Sequence, residues 1–355
     1  MSLGHATARY ECTDPTLHNW TVAAPTFFPT NSGPSEFFPL PTAPDGIDSG
    51  NSAGPKLTHV LAGILPPKPY RGGTAWYTLG SYTPGGKALA NTTPPRALDY
   101  SNSECRNGHP SQPRADLSCT RWLSAVLIYT QMHVDDGRML FMGWWNVGLS
   151  CLTAPREVTY DPLLQTLRAL PVKELALLRG DKLSPASAAP RTVHAGGDAL
   201  SLFKAGAVST TFDVEAEIAL PSAPVSFTLA VMAASPTHAE VLLNVTVGTA
   251  SGSVRNVNVT AGVPGAGGRS QAAYNSSFSF ELPATETTLA LRILADRTLV
   301  EAFVGGGRGV VTTPVLAPGK DPTKAGCFLS AGAGGSVTVN SYEAYEMGCG
   351  WAQYP

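Results

Sequence analysis

Charge is scarce in this chain: only 14% of its 355 residues are Asp, Glu, Lys or Arg, and the formal net charge is −2. No run is rich in lysine or arginine, so the chain offers no basic field for a phosphate backbone, and nucleic acid is excluded as an expected partner. No uninterrupted apolar run is long enough to span a bilayer as a helix, and no membrane partner is expected. The cysteines, Cys12, Cys105, Cys119, Cys151, Cys327 and Cys349, are widely separated and form no CxxC pair. The histidines, from His5 to His238, show no HExxH or other ligand spacing, so no metal site is expected. The even cysteine count permits disulfides and buried free thiols equally. The glycine clusters at Gly262–Gly268 and Gly305–Gly307 do not join a strand to a helix. They read as hairpin turns rather than phosphate loops.

Gly (36) and Pro (30), by contrast, are plentiful, which suits a turn-rich, mostly β protein of secreted type. At 37.0 kDa the chain can bury two ordinary cores. Asn-x-Ser/Thr triplets begin at Asn19, Asn91, Asn244, Asn258 and Asn275, a density that favours passage through the secretory pathway. The N-terminal MSLGHATARYE has neither a basic n-region nor an apolar h-region. Either a leader lies upstream or the chain is cytosolic, and the first reading is preferred.

The stretch from Asp135 to Arg179 is the joint of the molecule. Arg138 to Trp145 is an apolar and aromatic run entered through Asp-Asp-Gly, the pattern of a buried strand after a tight turn. Pro155–Val158, a polar turn at Asp161-Pro162 and Pro171–Leu175 then read as a hairpin leaving one body for another. Before the joint, strands are expected at Ala6–Cys12, from Trp20, at Phe37–Leu40, Lys56–Leu61 and Ala75–Tyr82. Asp14-Pro15 reads as a turn. Asn102–His133 reads as a long loop insertion. Beyond a small-residue linker, period-two alternation predicts strands at Ser209–Ala219, Val225–Ala233, Glu240–Val247, Arg255–Val259, Ser277–Leu282, Leu289–Ala295, Leu299–Val304, Gly326–Ser330 and Ser336–Tyr345. No helix is predicted.

Two blocks carry a family resemblance. GRMLFMGWWN, followed by LTAPREVTYD and LRALPVKELALLR, resembles the end of the catalytic propeller of glycoside hydrolase family 32, the invertases and other β-fructofuranosidases. Residues 289–313, LALRILADRTLVEAFVGGGRGVVTT, resemble that family's C-terminal β-sandwich. The resemblance implies an all-β fold: a partial five-bladed β-propeller over residues 1–180, a linker over 181–197 and a β-sandwich over 198–350. It further implies hydrolysis or transfer of fructosyl units from sucrose or a fructan, no cofactor, and a secreted or vacuolar location.

Retaining glycoside hydrolysis needs two carboxyl groups about 5–5.5 Å apart. The family's nucleophile lies in a Trp-x-Asn-Asp-Pro-Asn-Gly motif and its third carboxylate in Arg-Asp-Pro, and neither motif occurs in these residues. Its acid/base Glu precedes an FFPL strand, which makes Glu36 either that acid/base, with a three-residue deletion, or a solvated loop carboxylate. Trp144 and Asn146 match the family's Gly-Trp-x-Asn stretch near the sugar pocket, and Asp99 its Asp-Tyr-Gly, so these three are the substrate-binding candidates. Asp296, Arg297, Glu301 and Arg308 are expected to make ion pairs and turn contacts. The chain is therefore expected to be inactive by itself, either as the C-terminal part of a fructosidase or as a carbohydrate- or partner-binding relic. An incomplete propeller would leave Phe27, Phe28, Phe37 and Phe38 in water or covered by self-association.

Overall fold

The computed structural model describes residues 7–12, 14–16, 18–28, 35–40, 57–63, 75–83, 85–100, 130–133, 138–147, 149–186, 190–263, 276–315, 325–333 and 335–348. The fold is all-β. A hairpin of β1 (Thr7–Cys12) and β2 (Trp20–Phe28) comes first. Its connection holds the expected turn: the Asp14 carboxylate accepts the backbone N–H and the hydroxyl of Thr16 at 2.9 and 2.7 Å. Next comes an antiparallel sheet of β3 (Ser35–Pro39), β4 (His59–Gly63), β5 (Ala75–Gly80) and β6 (Arg96–Asp99), paired in chain order. Four consecutive antiparallel strands make one blade of a propeller.

A second four-stranded sheet has the order β12-β11-β8-β7, from β7 (Thr130–His133), β8 (Met139–Met142), β11 (Arg156–Asp161) and β12 (Thr166–Pro171). The hairpin of β9 (Trp144–Val147) and β10 (Leu149–Leu152) stands between β8 and β11. Of the expected insertion, residues 102–129 lie outside the described residues, but Thr130–His133 is the edge strand of this sheet rather than loop. The β11–β12 hairpin turns at Asp161-Pro162, as its polar residues predict. Of Pro171–Leu175, read from sequence as part of a hairpin, Lys173 to Leu175 instead open a 3₁₀ helix, Lys173–Leu178, none of whose residues is buried.

The expected linker is also corrected. Most of it belongs to the sandwich: β13 (Arg179–Lys182) and β14 (Arg191–His194) both pair with the last strand, and Leu183 N–H donates to Ala344 O at 2.7 Å. Small residues and prolines hid these strands because they give no period-two signal. After β15 (Leu200–Ser201) come β16 (Thr211–Ala219), β17 (Val225–Ser235), β18 (His238–Ser251), β19 (Val254–Gly262), β20 (Ser276–Pro283), β21 (Thr288–Asp296), β22 (Leu299–Val304), β23 (Gly309–Pro314), β24 (Gly326–Ala331) and β25 (Ser336–Met347). A seven-stranded sheet runs β13-β25-β16-β21-β22-β23, with β14 also on β25. It faces a six-stranded sheet of order β15-β24-β17-β18-β19-β20. The inward rows of both sheets, Val241, Leu243, Val245 and Val247 on one and Val337, Val339 and Ala344 on the other, close the sandwich core.

A buried seam joins the front sheets to the sandwich. All six residues of Leu299–Val304 are buried, because the strand serves two cores at once. Val300, Ala302 and Val304 point into the sandwich, while Phe303 joins a second core with Tyr77, Leu98, Phe141, Val158 and Val310. A strand covered on both faces reads as a continuous apolar run, which is why LVEAFV does not alternate. The front of the molecule is also better covered than expected. Phe27, Phe28 and Phe38 are buried, and Phe37 packs edge-on to Phe27 with ring centroids 4.9 Å apart. Phe27 and Phe28 form a small core with Leu61, Trp76 and Leu89. The β1–β2 hairpin supplies this cover, at roughly 1.5–3 kcal/mol for each large side chain buried. Exposure falls instead on Trp20 (57%) and Val22 (49%) of β2.

Candidate functional site

The chemistry of the seam is built around Arg156. It opens β11 beside the edge of the sandwich, so its side chain leaves the second front sheet and ends against β6, β22 and β23. The guanidinium is fully buried; Nη1 donates to Asp99 Oδ2 at 2.8 Å, and Nη2 to Glu301 Oε2 at 2.6 Å and to Thr312 Oγ1 at 2.9 Å. Thr312 Oγ1 donates to Asp99 Oδ2 at 2.6 Å, and the Ala154 N–H to Glu301 Oε1 at 2.7 Å. Phe141 and Phe303 lie beside the guanidinium, 5.7 and 5.2 Å from it to the ring centres. Burial works against the charge on Arg156, but Asp99 and Glu301 outweigh it and the group is held protonated. Burial also pushes the Glu301 carboxyl up, and Arg156 and the Ala154 N–H only partly offset that. One cation thus serves two carboxylates without water.

A second cluster pins the turn after β22. Arg308 Nε donates to Asp161 Oδ2 at 2.8 Å, the same oxygen that takes Arg168 Nη2 at 2.8 Å, and Arg308 also pairs with Glu286 at 2.7 Å. Burial raises the Asp161 carboxyl, and Arg308 with Arg168 overcomes it, so the group sits below its ordinary value. The turn docks by its backbone: Gly307 O accepts from Ala169 N–H at 2.9 Å. Gly307 has φ +82°, and a Cβ there would stand 2.5 Å from Ala169 O, so both its conformation and its surroundings require glycine. Beside this turn a groove of about 600 Å³ separates Leu170 and Pro171 of β12 from Glu215, Arg292 and Glu343 on the outer face of the seven-stranded sheet.

Of the four candidate residues, Asp99 is the one whose side chain is among the described residues. Asp99 is fully buried in the Arg156 cluster, so the structure gives it a bracing position, whereas sequence matching pointed to substrate contact. Glu36 lies on β3 opposite Ala62 of β4, at the far edge of the same sheet from Asp99 on β6. Three strand spacings put their backbones about 14 Å apart, well beyond the 5–5.5 Å of a retaining carboxylate pair. Trp144 and Asn146 lie on β9, opposite Leu152 and Ser150. The side chains of Glu36, Trp144 and Asn146 are outside the described residues. Sequence reasoning assigned Glu301 and Arg308 to ion pairs, and both make them. It missed Arg156, whose partners stand 57 and 145 positions away and leave no local trace. Among the described residues no group of three or more His, Cys, Asp or Glu could hold a metal ion.

Residues 174–346 match the family model for the glycosyl hydrolases family 32 C-terminal domain. No curated protein matches the chain in sequence. Among solved structures, fructan 1-exohydrolase IIa from Cichorium intybus superposes with a TM-score of 0.71 at 17% identity, covering 97% of this chain and 67% of that one. Exo-inulinase from Aspergillus awamori gives 0.63 at 17% identity, over 96% of this chain and 62% of that one. The family 32 β-fructofuranosidase BmSUC1 of Bombyx mori gives 0.57 at 14% identity, over 96% and 60%. The chain therefore spans about two thirds of the length of its solved relatives or somewhat less. At these identities the likeness establishes the fold, propeller sheets followed by a sandwich, and the Arg156 cluster is the bond between the two parts of this chain.

Proposed function

We propose that these residues form the C-terminal part of a β-fructofuranosidase-like glycoside hydrolase, acting on sucrose or a fructan in the secretory pathway, as a secreted or vacuolar protein. The observation that carries the reading is the seam: Asp99 and Arg156 of the front sheets and Glu301 and Thr312 of the sandwich complete one buried cluster. The sandwich is thereby built as a brace for the propeller rather than as a free appendage. The chemistry of such an enzyme needs a nucleophile, and the nucleophile motif is missing from these 355 residues. A positioned acid/base at Glu36 would contribute on the order of 10²–10⁴-fold and cannot substitute for it. The chain as it stands is then catalytically silent.

The test is direct. The purified chain, incubated with sucrose or inulin, should release no fructose above buffer, and its Glu36→Gln variant should behave identically. Fructose release that disappears in E36Q would overturn the silent reading. Sequencing the transcript upstream of Met1 tests the parent reading: an in-frame Trp-x-Asn-Asp-Pro-Asn-Gly segment supports it, and an in-frame stop directly before Met1 contradicts it. The groove beside Arg292 favours a second reading, a non-catalytic carbohydrate-binding relic, whose lining of charged and hydroxyl groups suits a neutral polyol. Self-association would then use the exposed strip of Trp20 and Val22 on β2.

A further inference from the structure

The outer face of the six-stranded sheet carries two adjacent rows of uncharged polar residues, with Glu281 beside them. Strand register aligns Ser330, Thr228, Asn244, Thr260 and Ser277 in one row across five strands. The neighbouring row is Ser226, Thr246, Asn258 and Ser279. Neither row contains an Asp, Glu, Lys or Arg, whereas solvated protein surfaces ordinarily carry about 25–35% charged residues. Two adjacent rows without charge have little to keep them apart from another such surface. The two asparagines also have a specific relation. Asn244-Val245-Thr246 and Asn258-Val259-Thr260 are both glycosylation triplets, and their strands pair so that each asparagine stands opposite the other triplet's threonine. The middle valines, Val245 and Val259, are fully buried, which directs all four polar side chains outward. Extended geometry puts the two asparagines diagonally about 7–8 Å apart.

Their bonding differs. Asn244 is tied into the lattice at both ends of its amide: Oδ1 accepts from Thr228 Oγ1 at 2.7 Å, and Nδ2 donates to Thr260 Oγ1 at 3.2 Å. Asn258 is exposed and takes no part in these side-chain bonds. A glycan on Asn244 would replace an N–H in an ordered rung, whereas one on Asn258 would project from the sheet and disturb no bond of the lattice.

We propose that Asn258 is an N-glycan acceptor and that its glycan shields this face, while Asn244 serves the lattice. In the transfer, Asn258 Nδ2 forms a bond to the reducing-end C1 of a lipid-linked oligosaccharide. The C1–O bond to the lipid pyrophosphate breaks, the pyrophosphate leaves with the bonding pair, and the amide gives up one proton to base. The glycan supplies the solvation and the steric exclusion that charge supplies elsewhere on the surface.

The test uses the full chain, secreted from a eukaryotic host behind a supplied leader, with glycopeptide mass spectrometry and an endoglycosidase mobility shift. The Asn258 peptide is expected to be modified in most molecules and the Asn244 peptide in few. Thr260→Ala should abolish the Asn258 modification, and Thr260→Ser, which keeps the hydroxyl, should retain it. Circular dichroism identifies variants that have failed to fold. An unmodified Asn258 in secreted, folded chain overturns the proposal, and so does modification at Asn244 alone. Glycan removal should shift the chain toward dimers or larger species in sedimentation; an unchanged monomer overturns the shielding role. None of these outcomes depends on fructosidase activity, so the two readings fail separately.

Discussion

Two arginine–carboxylate clusters, built from the same groups, sit in different surroundings. At the seam, Arg156 meets Asp99 and Glu301 in a site closed to water, with exposures of 0%, 0% and 6% for the side chains. On the outer face of the seven-stranded sheet, Arg179 and Arg292 share Asp213 at 2.7 and 2.9 Å and both reach Glu215, and that carboxylate is 42% exposed. The first has one cation for two acids and no solvent to relieve an error. The second has two cations for two acids, with water at hand. Removing one partner should therefore be costly at the seam and tolerable on the face.

The largest effect is expected for Arg156→Met, which leaves Asp99 and Glu301 buried without their cation. Urea denaturation should show a loss of about 3–5 kcal/mol. Replacing all three groups with apolar residues of similar volume should recover much of it, since apolar substitution of a whole buried ion cluster is often neutral or favourable. A triple variant as unstable as R156M would refute the account of the seam.

Arg308→Ala should cost less, about 1–3 kcal/mol, because Asp161 keeps Arg168. Its pH dependence sharpens the comparison. The folded Asp161 sits below its ordinary value of 3.8, so its contribution is present above that pH and is lost as pH falls through the lower folded value. The difference between wild type and R308A should accordingly narrow in acid unfolding curves below about pH 3.8. A gap that stays constant down to pH 2 would show that the turn is held by its backbone alone.

On the open face, Arg292→Ala should lower stability by about 1 kcal/mol or less, with Arg179 retaining Asp213. The least sensitive site is Lys182, whose bond to Glu343 at 2.7 Å lies in solvent. Lys182→Ala is expected to leave the urea midpoint unchanged within error, at low and high salt alike.

The strands of the sandwich were legible wherever a single face is buried. Val241, Leu243, Val245 and Val247 alternate with outward polar residues, and periodicity located that strand and its neighbours. LVEAFV was found through its apolar content, but its service to two cores left no mark in the sequence. Residues 181–194 were misread because Ser184, Pro185 and Ala186 mimic a linker, and only tertiary pairing with Ser336–Met347 makes strands of Lys182 and Arg191–His194. The candidate site was legible only as motifs. Asp99 was found by matching a known pattern, but its partner was not, since nothing in PRE distinguishes the buried Arg156 from any solvated arginine.

The family model begins at residue 174, eighteen positions after Arg156. A recombination event that followed this sequence boundary would move Glu301, Phe303 and Thr312 to a new host and leave their cation behind. The transplanted module would arrive with an acidic, greasy scar where the seam had been. The heritable unit of this protein is therefore longer than the recognisable one: a graft that keeps its shape must also carry β11 and β12, or bring an arginine of its own.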